Sequence, residues 1–413
     1  MNKSVGRGEG RMKNLRASKI FRKEIAVFLI TAAALAAWLL LCGEGSPAHI
    51  SHDGQLYLSI ADNVVANGHF IQTARPYEVG FVVPFGIPLL LTLLRLLGMS
   101  DGAIILFQCA MICMTAVLLF RVETNYFGKG GFAPLLYMLA MVRVQIRPDN
   151  VSVEYYYAFW LALLLFVYSE KQMKIGKRLF WMNFAAFWAF VSRPVLSPVY
   201  IAVLLYSIGC FLKKQIKLRK LAFLLLVPAI LLTCSAAVNY RETGHWVWLE
   251  NYSGESICLA NNPETGTEAY TSKQYDSFMD DRMREIRSDE TLDTSEKSVL
   301  YKEHAMEYIT EHFGQFLRNT AVKGYKMFCS YWKYISILAL LGALGILLQY
   351  PQRRTETAVI LILMGIEVVI TSMGLRIGRY SFIIWISGSV HLAAVGHCGL
   401  WWLRSLKKKK ENV

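Results

Sequence analysis

The stretch FVVPFGIPLLLTLLRLLG, residues 81–98, decides how the rest of the chain is threaded. It is apolar and just long enough to be read as a membrane span. Pro84 and Pro88 interrupt it near its start. If it crosses a bilayer, every later loop changes sides, and KQMKIGKR (171–178) and KKQIKLRK (213–220) fall on the outer face. If it lies along or dips into the outer leaflet, with the N-terminus inside, inner segments hold 26 Lys and Arg against 7 in the short outer ones. Basic residues concentrate in cytoplasmic loops, and long loops are exempt from that bias. The second threading is therefore the expected one.

Working outward, ten apolar stretches remain as spans: 25–43, 103–120, 131–146, 153–168, 179–192, 195–212, 221–238, 331–349, 357–374 and 380–402. Composition agrees. The 413 residues are 54% hydrophobic and 18% charged, with a mean hydropathy of +0.35. Soluble domains carry about 25% charged residues. An ordinary soluble enzyme, a disordered chain and a fibrous protein are excluded, and eight cysteines are too few for a disulfide scaffold. The net charge of +14 is explained by membrane sidedness without invoking nucleic acid. The expected fold class is all-α: a polytopic membrane protein of about ten transmembrane helices, with juxtamembrane helices in the first outer loop and a helical extracytoplasmic loop.

The expected organisation is a basic cytoplasmic N-terminus (1–24), a transmembrane region (25–238) containing the outer loop 44–102, an extracytoplasmic loop or lid (239–330), a second transmembrane region (331–403) and a basic cytoplasmic tail (404–413). The first apolar stretch is long for a signal peptide and no A-x-A site follows it, so it reads as an uncleaved span. KKKK (407–410) suits anionic headgroups. No internal repeat is visible. Six cysteines lie in or beside spans; Cys258 and Cys329 fall in the large loop, where pairing stays open.

The first outer loop reads GEGSPAHISHDGQLYLSIADNVVANGHFIQTARPYEV (43–79). Leu56, Tyr57, Ile60, Ala61, Val64 and Val65 recur at helical spacing, so 54–67 is an amphipathic helix expected to lie on the membrane surface. Asn67-Gly68 supplies its stop. Asp53 opens it. A helix cap explains an Asp there; so does a carboxylate held at the outer face to take a proton from a hydroxyl. In the large loop, 239–270 is rich in Gly, Asn, Tyr and Trp, including Trp246, Trp248, Tyr252, Asn261 and Asn262. Aromatics with amides suit sugar recognition, and tryptophans equally suit an interfacial belt. Residues 272–328 read as two or three amphipathic helices with Phe278, Met279, Met283 and Ile286 on one side.

HDGQLYLSIADNVVANGHF (52–70) followed by VVPFGIPLLLTLLRLLG (82–98) resembles the first outer loop of C-superfamily membrane glycosyltransferases. The relatives meant are the dolichyl-phosphate-mannose–protein mannosyltransferases and the bacterial aminoarabinose and lipopolysaccharide-core sugar transferases. IRPDN (146–150), VSRPVLSP (191–198), NYRETGHW (239–246), CLANNPETG (258–266), HAMEYITEHFGQFLRNTAVKGYKMF (304–328) and GRYSF (378–382) resemble later family segments in the same order. The resemblance covers most of the chain. It departs at Gly54, where many relatives have a second acid, and in lacking a Lys near the proline segment; Arg75 is the nearest basic residue.

The resemblance implies an enzyme that moves a sugar from a polyprenyl-phosphate donor to an extracytoplasmic acceptor (glycan, lipid or protein) with inversion. Asp53 is the implied base, and Asp149 assists it or helps hold a metal. Arg193, Arg147 and Arg379 are candidates for the donor phosphate, because a planar guanidinium matches phosphate oxygens; headgroup snorkelling explains them too. Tyr57, Asn261, Asn262 and Tyr380 are candidate substrate contacts. Carboxylates suit Mg²⁺ or Mn²⁺, but no ligand spacing demands either. Short loops favour a bacterial plasma membrane. Two other readings stay open. A transporter or flippase of a lipid-linked sugar would draw on Glu367, an acid well inside a span. A non-catalytic assembly protein would leave Asp53 only a cap. There is no P-loop, G-x-S-x-G, H-E-x-x-H or C-x-x-C.

Overall fold

The computed structural model describes residues 5–42, 52–74, 80–144, 150–267, 276–329, 333–374, 386 and 388–397, and these contain helix and no strand. In chain order the helices are α1 (Val5–Cys42), α2 (His52–Asn67), α3 (Gly86–Leu96), α4 (Asp101–Phe127), α5 (Phe132–Val144), α6 (Val153–Ser169), α7 (Ile175–Ser192), α8 (Ser197–Leu212), α9 (Leu218–Thr243), α10 (Ser253–Ala260), α11 (Asp281–Ser288), α12 (Thr294–Glu311), α13 (Phe313–Cys329), α14 (Lys333–Gln349) and α15 (Arg354–Met373). A last helical stretch covers 388–397.

Five helical segments are long and apolar enough to cross a membrane: Ile20–Leu40, Asp101–Phe127, Pro194–Leu212, Leu218–Thr243 and Pro351–Met373. The protein is accordingly an all-α chain of membrane type. Of the other expected spans, 131–146, 153–168, 179–192 and 331–349 carry the shorter helices α5, α6, α7 and α14, and 380–402 is described only at 386 and 388–397. The 13 residues of α5 rise about 20 Å, less than the roughly 30 Å of a bilayer core. At 11 residues, α3 rises only about 16 Å, so residues 81–98 do not form one spanning helix.

Local chemistry sets the ends. Ser100 accepts from Ala103 N and starts α4, and Gly128 closes it at φ 71°. Asn67-Gly68 stops α2 as expected, with Gly68 N donating to Val64 O at 3.0 Å. One continuous apolar core joins α2, α3, α4, α6 and α7. The expected placement of α2 is corrected here. Leu56, Tyr57, Leu58, Ile60 and Ala61 are buried in that protein core, and α2 packs on α3. Its apolar face is covered by protein, because a helix that short gains more from a close-packed core than from a headgroup layer.

The large loop also has a core of its own. Cys258 and Leu259 of α10 meet Phe278, Met279, Met283, Ile286, Tyr301 and Ala305. The four residues expected on one side are thus all buried. Cys258 is a free thiol; Cys329's side chain lies outside the described residues.

Contacts sort the segment ends into two groups. At one end, Arg353 donates to Ser169 O (3.2 Å), to Glu356 Oε2 (3.0 Å) and to Asn125 O, and lies 4.7 Å above the Tyr126 ring. Arg121 pairs with Glu24 there, Lys171 with Glu356 at 3.3 Å, and His397 with Glu123 at 2.8 Å. The buried Glu123 also accepts from Gly131 N and Ala133 N, at 2.7 and 3.0 Å, which starts α5. At the other end, Glu242 meets His69 at 2.9 Å, and Asn251 reaches Gly80 and Val82. Asn261 there reaches Met373.

Candidate functional site

The residues singled out in the sequence and described in the structure lie at this second end. Helix α2 begins at His52, so Asp53 sits within its first turn, one step inside the cap position expected for it. The positive helix end still favours a carboxylate there. Tyr57, one turn on, is buried in the core. Asp62 of the same helix pairs with Arg95 of α3 at 2.7 Å, and Asp101 holds the same guanidinium.

Helix α3 then reaches the end of α7. A methyl group at Gly86 would lie 2.8 Å from Val191 O and 2.9 Å from Ser192 N. Only a glycine lets the two backbones come this close. Arg193 follows directly, in extended conformation at φ −147°. Its amide closes α7 on Ala189 O at 2.9 Å, and Pro194 opens a 3-10 turn that leads into α8. The break keeps Arg193 out of both helices, and it is partly exposed. The carboxylate-bearing helix and the arginine break are thus joined through α3.

Helices α6 and α7 pack together across the short connection 170–174, so the start of α6 and the end of α7 share this end of the bundle. Here the structure adds Glu154, which the sequence reading missed. It is 2% exposed and accepts from Ser152 Oγ. Gln108 of α4 clamps the same segment: its Nε2 donates to Asn150 O at 2.7 Å, and its Oε1 accepts from Ser152 N at 2.9 Å. The available signal was an acid at the second position of an otherwise apolar run. Arg147 and Asp149, just upstream, lie outside the described residues, as do Arg379 and Tyr380.

Asn261 and Asn262 hold the large loop together. Asn261 Nδ2 donates to Ile257 O and Met373 O, both at 2.9 Å. Asn262 is fully buried, and its Nδ2 donates to Cys258 O and Phe278 O, both at 2.8 Å. Lys323 is a second residue missed earlier. It is 2% exposed and donates to Ala260 O at 2.9 Å and to Gly374 O at 3.4 Å. Burial lowers its pKa from 10.5 to about 8. It sits on the carboxyl ends of α10 and α15, where helix dipoles favour a cation. Nothing in the local spacing separates it from the other basic residues of α13.

Glu367 is buried in α15, and neither carboxylate oxygen has a hydrogen-bond partner among the described residues. The same holds for both ring nitrogens of the buried His391. Among the described residues there is no group of three His, Cys, Asp or Glu side chains that could hold a metal ion.

No family model, curated protein or solved structure matches the chain. What the end of the bundle offers chemically is carboxylates that can accept a proton, Asp53 and Glu154, and an arginine on a helix break that can meet an anion.

Proposed function

We propose that the chain is an integral-membrane glycosyltransferase that moves a sugar from a polyprenyl-phosphate donor to an acceptor on the extracytoplasmic face of the plasma membrane. In this reading ten segments cross the bilayer and both termini are cytoplasmic. α3 stays in the outer half, and the end carrying Asp53 and Arg193 faces out. The observation that carries the reading is the two-ended sorting of contacts. Segments expected inside from their Lys and Arg content meet at the Arg353 end, and the helix of Asp53 and the break at Arg193 are linked through α3 at the other. The order of the glycosyltransferase-like segments along the chain supports the same conclusion.

Asp53 takes the proton of an acceptor hydroxyl as its oxygen bonds to the anomeric carbon. The bond from that carbon to the phosphate oxygen breaks, and its electron pair leaves with polyprenyl phosphate. Attack opposite the leaving group inverts the anomeric centre. A phosphate needs cationic stabilisation more than a general acid, which is the role given to Arg193, with Arg147 and Arg379 as its candidates for help. A divalent metal, if used, would neutralise the same phosphate.

The test is transfer from a panel of labelled polyprenyl-phosphate sugars in membranes. Asp53→Asn keeps a side chain suited to a helix start but cannot act as a base. Product from wild type and a loss of about 100-fold or more in the variant, at equal folded protein, is expected. Equal rates would overturn the role of Asp53. No transfer from any donor would favour the second reading, transport of a lipid-linked sugar, for which the buried Glu367, without a hydrogen-bond partner among the described residues, is the supporting observation.

A further inference from the structure

The segment after α9 forms one wall of a groove of about 730 Å³, and α12 forms the other. Along that segment exposure alternates. Trp246 is 59% exposed, Val247 8% and Trp248 54%. Both indoles line the groove, and the buried Val247 between them anchors the segment. Trp246 is steadied by stacking on Tyr240, with ring centroids 5.0 Å apart. The facing wall brings Glu296, Ser295 and Lys302.

The carboxylates are set before any ligand arrives. Glu250 Oε2 accepts from Tyr252 N and Ser253 N, at 2.9 and 2.8 Å. Glu296 Oε2 accepts from Asp293 N at 2.9 Å. On the groove floor Asn251 donates to Ser295 Oγ at 2.8 Å and to Gly80 O at 2.7 Å, and its Oδ1 accepts from Val82 N at 2.9 Å. The groove is therefore built directly onto the loop that leads from α2 into α3.

We propose that this groove binds a neutral saccharide chain, with the faces of Trp246 and Trp248 under the sugar rings and Glu250, Glu296 and Ser295 accepting or sharing its hydroxyls. Charge selects this occupant. Glu250 and Glu296 line the groove with Lys302, and Asp293 beside it pairs with the lining His245 at 2.6 Å; carboxylates beside the indoles disfavour an anionic headgroup layer or a nucleic acid. Flat apolar faces next to fixed hydrogen-bonding groups are what a sugar ring, apolar on its faces and polar at its edge, requires. The assignment rests on the transferase reading only for the saccharide's role as acceptor.

The test uses the full chain in lipid nanodiscs, as wild type, Trp246→Ala, Trp248→Ala and the double variant. Tryptophan emission is titrated with cellohexaose, maltohexaose and chitohexaose, with no donor present. A saturable change in wild type, weakened about ten-fold by Trp248→Ala and absent in the double variant, is expected. In parallel, nanodiscs carrying lipids brominated on the acyl chains report whether the two indoles touch the bilayer. If no saccharide changes emission beyond the double variant, or if bromine quenches the emission that Trp246 and Trp248 supply, the groove is a membrane belt and the proposal fails. Because no donor is added, that failure is separate from failure of the transfer assay.

Discussion

Two buried side chains carry more of the Asp53 end than their size suggests. Asn251 satisfies a backbone carbonyl, a backbone amide and a hydroxyl from two separate segments, 80–82 and the start of α12. Asn251→Ala would leave Gly80 O and Val82 N buried without it, and a stranded buried polar group costs roughly 1–3 kcal/mol. A loss of about 3 kcal/mol in total is expected, read as a lower midpoint in detergent unfolding, while a surface control such as Lys302→Ala stays near wild type. Lys323 predicts a pH effect. Its pKa is 10.5 when free and about 8 when buried by the fold. Below pH 8 it is charged in both states and the burial penalty is full. As pH rises from 8 to 10.5 the folded form releases its proton first, so wild type should gain stability relative to Lys323→Met across that window. Parallel pH profiles for the two proteins would show that Lys323 is not buried as described.

Among the elements, α3 is the one on which the site depends, because it touches both the helix of Asp53 and the break at Arg193. Its start is close enough to α7 that a single methyl would meet three backbone atoms. Gly86→Ala is expected to destabilise the protein by about 1–3 kcal/mol and to depress sugar transfer, although Gly86 itself touches no substrate. Gly102, with open space around it, serves as the control: Gly102→Ala should leave both properties near wild type. The large loop is a second packed element. It has its own apolar core, and α12 opens with a capping box between Asp293 and Glu296. Burial raises the Cys258 thiol to about 12, so it should resist maleimide in the folded protein and react once the large loop is unfolded.

For the whole molecule the decisive question is which ends face the same side. Cysteines introduced at Thr73 and Gly102 flank α3. If α3 does not cross the bilayer, an impermeant maleimide added to intact cells should label both, while a cysteine at Lys174, on the connection beside the Arg353 end, should be labelled only after lysis. Labelling of Thr73 and Gly102 variants from opposite sides would invert the threading and with it the proposed placement of the site. Such a threading would also require an 11-residue helix to do the work of about 20 residues.

Much of this was readable in the chain before any coordinates. Runs of apolar residues specify helices that bury their own hydrogen bonds. Asn67-Gly68 ends α2 through the left-handed conformation that glycine adopts without strain. The placement of Lys and Arg sorted the loops into two sets that the folded contacts reproduce at its two ends. Phe278, Met279, Met283 and Ile286 announced one buried face through their spacing. What remained invisible depends on partners far away in the chain. The surface placement expected for α2 failed because its apolar face is covered by α3, and spacing shows that a face is apolar without showing what covers it. Asn261 and Asn262 looked like sugar contacts by type, yet their amides hold carbonyls of the large loop and of α15. Lys323 and His391 carry no local pattern, and Glu154 only that of an acid entering an apolar run; the packing of other helices around them makes them buried and therefore consequential. The sequence determined helices and candidate chemistry because those follow from local composition. The tertiary structure alone decided which acid, arginine and glycine share one end, because that follows from helix packing between distant segments.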